Sequence, residues 1–154
     1  ASVIHESGYL LTNDHVVSEI IQGNAILYGN PPLPFKTIAR MSSEDLAIIK
    51  IDTENPLQPL PIGRSNDLML GEPILTIGNP GGLNHSVSTG IISGINRSTS
   101  TGAAFLPWMI QTSAAVSGGN SGGPLINALG EDVVLRAAHS YEQATTWHTM
   151  WPDL

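Results

Sequence analysis

The sequence predicts an all-β protein, an antiparallel barrel or sandwich, on two observations. Short apolar segments recur roughly every 8 to 14 residues between turn-forming residues, with no sustained helical periodicity. The 16 glycines and 11 prolines are spread through the chain rather than gathered in a linker, which suits many short strands and turns.

Taken in order, Gly8-Tyr9-Leu10-Leu11 reads as a strand, and Thr12-Asn13-Asp14 as polar residues that cap a brief helical turn carrying His15. Ala25-Ile26-Leu27-Tyr28 is a second strand, stopped by Gly29-Asn30-Pro31-Pro32. Phe35 to Met41 is a third, and Asp45 leads straight into the apolar strand Leu46-Ala47-Ile48-Ile49-Lys50-Ile51. The stretch from Pro56 to Pro61 cannot lie in a central strand, so it serves as the crossover between two halves. Beyond it come the strand from Pro73 to Ile77, a tight turn at Gly78-Asn79-Pro80-Gly81-Gly82, and a long strand from Ser86 to Ile95 whose glycines mark bends or bulges. Asn96 to Ala104 reads as a polar loop. Pro107 to Thr112 returns as a strand, and Pro124 to Asn127 follows the glycine-rich stretch between them.

At 154 residues the chain fits one domain, or two small lobes sharing an interface, and is long enough to bury a core. It has no cysteine, so thiolate nucleophiles, disulfides and metal-thiolate sites are excluded. Six Lys plus Arg against thirteen Asp plus Glu give a formal charge of −7, which disfavours nucleic acid and anionic membranes as partners. No apolar run approaches the roughly 18 residues of a membrane span, and no signal peptide is legible at the N-terminus.

The chemistry concentrates in Gly118-Gly119-Asn120-Ser121-Gly122-Gly123. These are common turn residues, and a flexible surface turn is one reading. The other makes Ser121 a nucleophile: a serine hydroxyl needs a base to take its proton and N–H donors to meet the oxyanion, and flanking glycines let the backbone approach a substrate carbonyl closely. A histidine base and an acid to orient it are both available upstream. His15 lies at a strand end. Among the acids, Asp45 alone opens an apolar strand, whereas Asp67 and Asp132 sit in turns expected to be solvated. His5, His85, His139 and His148 read as surface or structurally satisfied residues, and no His-x-x-x-His or similar spacing suggests a metal site.

With His15, Asp45 and Ser121 in that order, the chain resembles the trypsin-like serine proteases, and more closely the protease domain of the HtrA/Deg family. The resemblance rests on five pieces in the family's order: Gly8 to Val17, Asp45 to Ile51, Ile77 to Leu83, Ser88 to Ser93, and Gly119 to Asn127. It implies a double antiparallel β-barrel, a single protease domain with a first barrel at about 1–55 and a second at about 62–136, and an active site between them. It further implies Ser121 as nucleophile, His15 as general base, Asp45 as the residue that orients it, and an oxyanion hole at Gly119, Asn120 and Ser121. The base of the substrate pocket, six residues before the nucleophile, falls on Ala115, which favours an uncharged aliphatic side chain over Lys or Arg. No cofactor or metal is implied. The expected substrates are unfolded or misfolded polypeptides, the expected assembly a homo-oligomer, a trimer by resemblance, and the expected setting extracytoplasmic or organellar: periplasm, mitochondrion or chloroplast.

The sequence also departs from the family. Ser117-Gly118 stands where the family tends to carry Asn-Pro, and Ser113 where it tends to carry Asp. The family's segment preceding Ala1, often used in oligomer contacts, and its PDZ module are not expected here. After Gly130, Glu131 to Arg136 can still form a strand, but residues 137–154 read as a divergent tail. Trp147 and Trp151 are spaced for one face of a short helix, or else the tail leaves the second barrel open. The rival to a protease is a catalytically silent relative that binds exposed polypeptide segments in the same cleft.

Overall fold

The computed structural model describes residues 1–82, 85–101, 104–133, 136–139 and 146–149, with the backbone alone described at 99–101, 104–106, 136–139 and 146–149. Its strands form two antiparallel sheets. The first contains β1 (Ser2–His5), β2 (Tyr9–Thr12), β3 (Gly23–Ala25), β4 (Leu33–Met41) and β5 (Leu46–Ile51), in the spatial order β1-β2-β5-β4-β3. The second contains β6 (Pro73–Gly78), β7 (Ser86–Thr101), β8 (Ala104–Thr112), β9 (Leu125–Ile126), β10 (Arg136–His139) and β11 (Thr146–Thr149), in the order β10-β11-β8-β7-β6-β9. Among the described residues neither sheet closes on itself.

Each sheet buries one apolar layer. Along β5 the apolar run resolves into alternation: Ala47, Ile49 and Ile51 point inward onto Leu10 and Val17, while the residues between them are half-buried. The second core gathers Leu68, Ile74, Ile92, Ile110, Ala114, Leu125 and Val133. Ile51, Ile110 and Leu125 are fully buried, and each such side chain contributes about 1.5–3 kcal/mol by leaving water. The turn from β1 to β2 requires Gly8, because φ is +93° there and a Cβ would lie 2.3 Å from the Ile51 carbonyl oxygen.

The crossover runs along β1, with the Leu57 N–H on the Glu6 carbonyl and the Leu60 N–H on the Val3 carbonyl. Asp132 then ties the two halves together. Its N–H bonds the Pro61 carbonyl, its carbonyl accepts from Gly63, and its carboxylate accepts the Ser2 hydroxyl at 2.6 Å and the Leu125 N–H at 3.3 Å. Asp132 is therefore a buried, multiply bonded carboxylate, not the solvated turn residue expected.

Three strand expectations change. The polar stretch from Asn96 to Ala104 is not a loop: β7 runs on to Thr101 and pairs with β8 through Thr99, Ser100 and Thr101. Backbone pairing is indifferent to the polarity of side chains that local composition weighs as loop-like. The second strand sits at Gly23–Ala25 rather than Ala25 to Tyr28. Its pairing with β4 stops at Ala25 opposite Leu33, because Pro31 and Pro32 have no N–H to extend the ladder. In the tail, Thr146–Thr149 pairs with β8 and Arg136–His139 pairs with Thr146–Thr149, so Trp147 lies in a strand and not in a helix. Trp151 and residues 134–135 of the expected Glu131 to Arg136 strand lie outside the described residues.

Candidate active site

The chain leaves β2 through Asn13 into one helical turn, α1 (Asp14–Val17), which carries His15. Asp45 occupies the turn between β4 and β5 with φ +55°, a left-handed conformation that Asp tolerates better than most residues. This twist turns both ends of Asp45 toward α1. Its carbonyl accepts the Asp14 N–H at 3.1 Å. Its carboxylate accepts the His15 backbone N–H at 2.9 Å, and lies 2.9 and 2.7 Å from His15 Nδ1.

An ionised carboxylate only accepts, so this contact fixes the proton on Nδ1 and leaves the Nε2 lone pair free. The His15 side chain is 53% exposed and that of Asp45 14%. The pair thus sets an exposed imidazole against a partly sheltered carboxylate.

Asp14 bonds a different partner. It is buried and held by Arg40 of β4, through Nε to Oδ1 and through Nη2 to Oδ2 at 3.1 Å. The Arg40 guanidinium and then the Ser42 hydroxyl hold its carboxyl below the ordinary value, and Asp14 in turn raises Arg40. The carboxylate next to His15 in sequence is thereby engaged as an ion pair with Arg40.

Ser121 comes from the second half, in a loop made of consecutive tight turns. Asn120 N–H bonds the Ser117 carbonyl at 3.1 Å, and Gly123 N–H the Asn120 carbonyl at 2.8 Å. The Gly119 carbonyl accepts from Asn79 at 2.9 Å. Two glycines are obligatory: a Cβ on Gly119 (φ +105°) would lie 2.3 Å from the Asn79 carbonyl oxygen, and one on Gly122 (φ +74°) 2.2 Å from Thr12 Oγ1. The Asn120 N–H is already used, whereas no hydrogen bond engages the N–H of Gly119 or Ser121 among the described residues. Asn120 Oδ1 is buried against Gly78 with no partner.

Asn13 joins the halves. Its Nδ2 donates to the Asp45 carbonyl at 2.9 Å and its Oδ1 accepts the Gly122 N–H at 2.7 Å. The structure thus brings His15 and Asp45 into direct contact, and Asn13 ties the loop that carries Ser121 to the Asp45 turn through Gly122. Among the described residues no hydrogen bond joins Ser121 to His15.

Ala115 is exposed, in a segment pinned to β7: its N–H bonds Ser88 Oγ at 2.8 Å, and Ser113 Oγ accepts the Ile91 N–H at 3.0 Å. Gly90 makes room for this segment, since a Cβ there would lie 2.2 Å from the Ala114 nitrogen. Among the other histidines, His5 bonds Ser7 and His85 packs edge-on against Tyr28. The side chains of His139 and His148 lie outside the described residues. Among the described residues no group of three or more His, Asp or Glu could hold a metal ion.

The family profile described as "Trypsin-like peptidase domain" matches residues 1–134. The chain belongs to that family. This trypsin-like peptidase domain is of the DegP/HtrA kind. It is 37% identical over 136 residues to Protease Do-like 1, chloroplastic, of Arabidopsis thaliana, covering 86% of this chain and 31% of the relative. It is 42% identical over 129 residues to a probable periplasmic serine endoprotease DegP-like of Halomonas elongata, covering 84% and 27%. A solved structure of the HtrA-type protease AlgW with decapeptide superposes with a TM-score of 0.83 at 33% identity, covering 96% of this chain and 46% of that one. The fold is accordingly that of the trypsin-like double β-barrel. The chain spans less than a third of the length of these two curated relatives.

Sequence reasoning missed two groups around this peptidase site. Asn13 occupies the N-cap position of α1, as expected of a capping residue, but its side chain makes no cap bond. Arg40 sits in a strand where charge reads as solvent-facing.

Proposed function

We propose that this chain is the catalytic domain of a serine endopeptidase. Ser121 Oγ attacks the scissile carbonyl while His15 Nε2 takes its proton. The tetrahedral oxyanion forms against the N–H groups of Gly119 and Ser121, with Asn120 spacing them. On collapse, the C–N bond breaks and His15 returns the proton to the leaving amine. Water then enters by the same base and releases the acid, restoring Ser121. Asp45 keeps the imidazole in the Nδ1–H tautomer and stabilises the imidazolium that forms.

The observation that carries this reading is the pairing of His15 Nδ1 with both carboxylate oxygens of Asp45, beside a glycine-held serine loop. The proposed substrates are unfolded or misfolded polypeptides, as the family resemblance implies. Ala115, small and uncharged, favours aliphatic side chains at the pocket. The proposed assembly is a homo-oligomer, and the periplasmic and chloroplastic names of the relatives support an extracytoplasmic or organellar setting.

Intact-mass labelling with a fluorophosphonate tests the chemistry. One adduct is expected on the parent and none on Ser121→Ala or His15→Ala. A folded parent that takes no adduct would instead identify a silent polypeptide-binding module.

A further inference from the structure

We propose that Asn13 is a positioning residue for the reaction: one side-chain amide sets the register between the loop that carries the nucleophile and the turn that carries the acid. The inference rests on the protease reading above and concerns a residue outside the Ser121, His15 and Asp45 constellation.

Asn13 is fully buried. Its two amide atoms engage backbone groups of the serine loop and of the β4–β5 turn, Gly122 N–H at 2.7 Å and Asp45 C=O at 2.9 Å. The first is the peptide that follows Ser121. The second belongs to the residue whose carboxylate orients His15, and the same carbonyl also accepts the Asp14 N–H at the start of α1. Asn13 itself lies two residues from the base. A single planar group therefore contacts, or is covalently close to, all three chemical residues.

The chemistry demands this residue type. One end must accept and the other donate, over the span of one amide; a carboxylate cannot donate to the Asp45 carbonyl, and an apolar side chain can do neither. Without the bridge the buried Gly122 N–H loses its partner and the Asp45 carbonyl keeps only the Asp14 N–H, a cost that holds the bridge in place. A bridge so held matters because proton transfer needs Oγ and Nε2 in register, and a misplacement of about 1 Å costs on the order of 100-fold in rate.

The test compares Asn13→Ala and the isosteric Asn13→Asp with the parent, each alone and combined with His15→Ala. Rates are read by hydrolysis of a fluorogenic peptide, whose residual turnover also serves the His15→Ala background, and by fluorophosphonate labelling in the proteins that keep His15; folding is read by circular dichroism. Asn13→Ala is expected to lower kcat about 100-fold with KM within about twofold. In the His15→Ala background it should add less than about threefold, because the alignment it supplies has already lost its base. Asn13→Asp keeps the acceptor for Gly122 and loses the donor for Asp45, so it is expected to lose at least about tenfold with side-chain shape unchanged. It carries the test if Asn13→Ala does not fold.

A folded variant that keeps activity within about threefold, or one that loses the same factor with and without His15, would overturn the positioning role. A parent that takes no label would overturn the protease reading and this inference with it. A labelled parent with indifferent Asn13 variants would overturn the inference alone.

Discussion

Replacing Gly119 by alanine, with Gly118→Ala beside it, tests the proposed oxyanion hole at a single backbone donor. The new Cβ would lie 2.3 Å from the Asn79 carbonyl oxygen and must reach at least 3.0 Å, so the loop gives way by about 0.7 Å. The partner is backbone, which cannot swing aside as a side chain would. Alanine also disfavours φ +105°, at about 1–2 kcal/mol. Both strains relax by rotating the Gly119 peptide, and the N–H that rotates is one of the two proposed oxyanion donors. Losing one such donor lowers kcat by about 10²–10³. The adjacent Gly118→Ala is the control: a Cβ there meets nothing within 4 Å, and reduced freedom of the unfolded chain should raise stability by about 0.4–1 kcal/mol. Steady-state hydrolysis of a fluorogenic peptide, with thermal melts of both variants, distinguishes the two. Gly119→Ala should lose kcat with KM nearly unchanged, while Gly118→Ala keeps or improves activity. A Gly119→Ala protein that folds and retains more than about a third of parental kcat would refute the assignment of that N–H to the oxyanion hole.

Asp45→Asn preserves a residue type that tolerates φ +55°, so melting should change little while kcat falls roughly 10⁴-fold from the wrong imidazole tautomer; retention of a tenth of the activity would argue against Asp45 as the orienting acid. Asn120→Asp places a carboxylate where Oδ1 is buried without a partner. Burial raises that acid's folded-state pKa above its unfolded value, so the loss of about 2–4 kcal/mol at pH 7 should vanish as pH falls below the ordinary aspartate range; urea titrations at both pH values read it, and a pH-independent loss would rule out ionisation as the cause. Asp14 shows the opposite sign. Arg40 holds it below its ordinary 3.8, so its stabilising contribution is present above that value and is lost as pH falls through the lowered folded pKa. The melting-temperature gap between parent and Asp14→Asn should be open at pH 7 and close in strong acid, and a gap that persists there would show that the side chain acts by packing alone.

The residues that carry the proposed chemistry were legible because local sequence encodes them. An acid opening an apolar strand, a histidine after a strand and a serine among glycines are all short patterns. The strand β5 was legible for the same reason, as a near-continuous apolar run of six residues, whereas the burial alternation within it was not, since Leu46 and Ile48 are as apolar as the residues that point inward. What was not legible depends on distant partners. Asp132 looked solvated because it follows a glycine turn, yet the hydroxyl it binds is 130 residues away. Asn13 looked like a cap because no local feature announces Gly122, 109 residues downstream. The stretch from Asn96 to Ala104 looked like a loop because its polarity is local while its pairing with β8 is not.

The clamp at Asp132 also orders events as the chain assembles. His15 and Asp45 are 30 residues apart, so their pairing needs only the first sheet and can form on an emerging nascent chain. The contacts from Asn13 to Gly122 and from Ser2 to Asp132 close loops of 109 and 130 residues. Loop-closure entropy and high contact order place such contacts at the slow end of folding. If the proposed roles hold, the base and its acid can pair before the serine loop is seated, and hydrolytic competence would come with the long-range closures rather than with the first folded sheet.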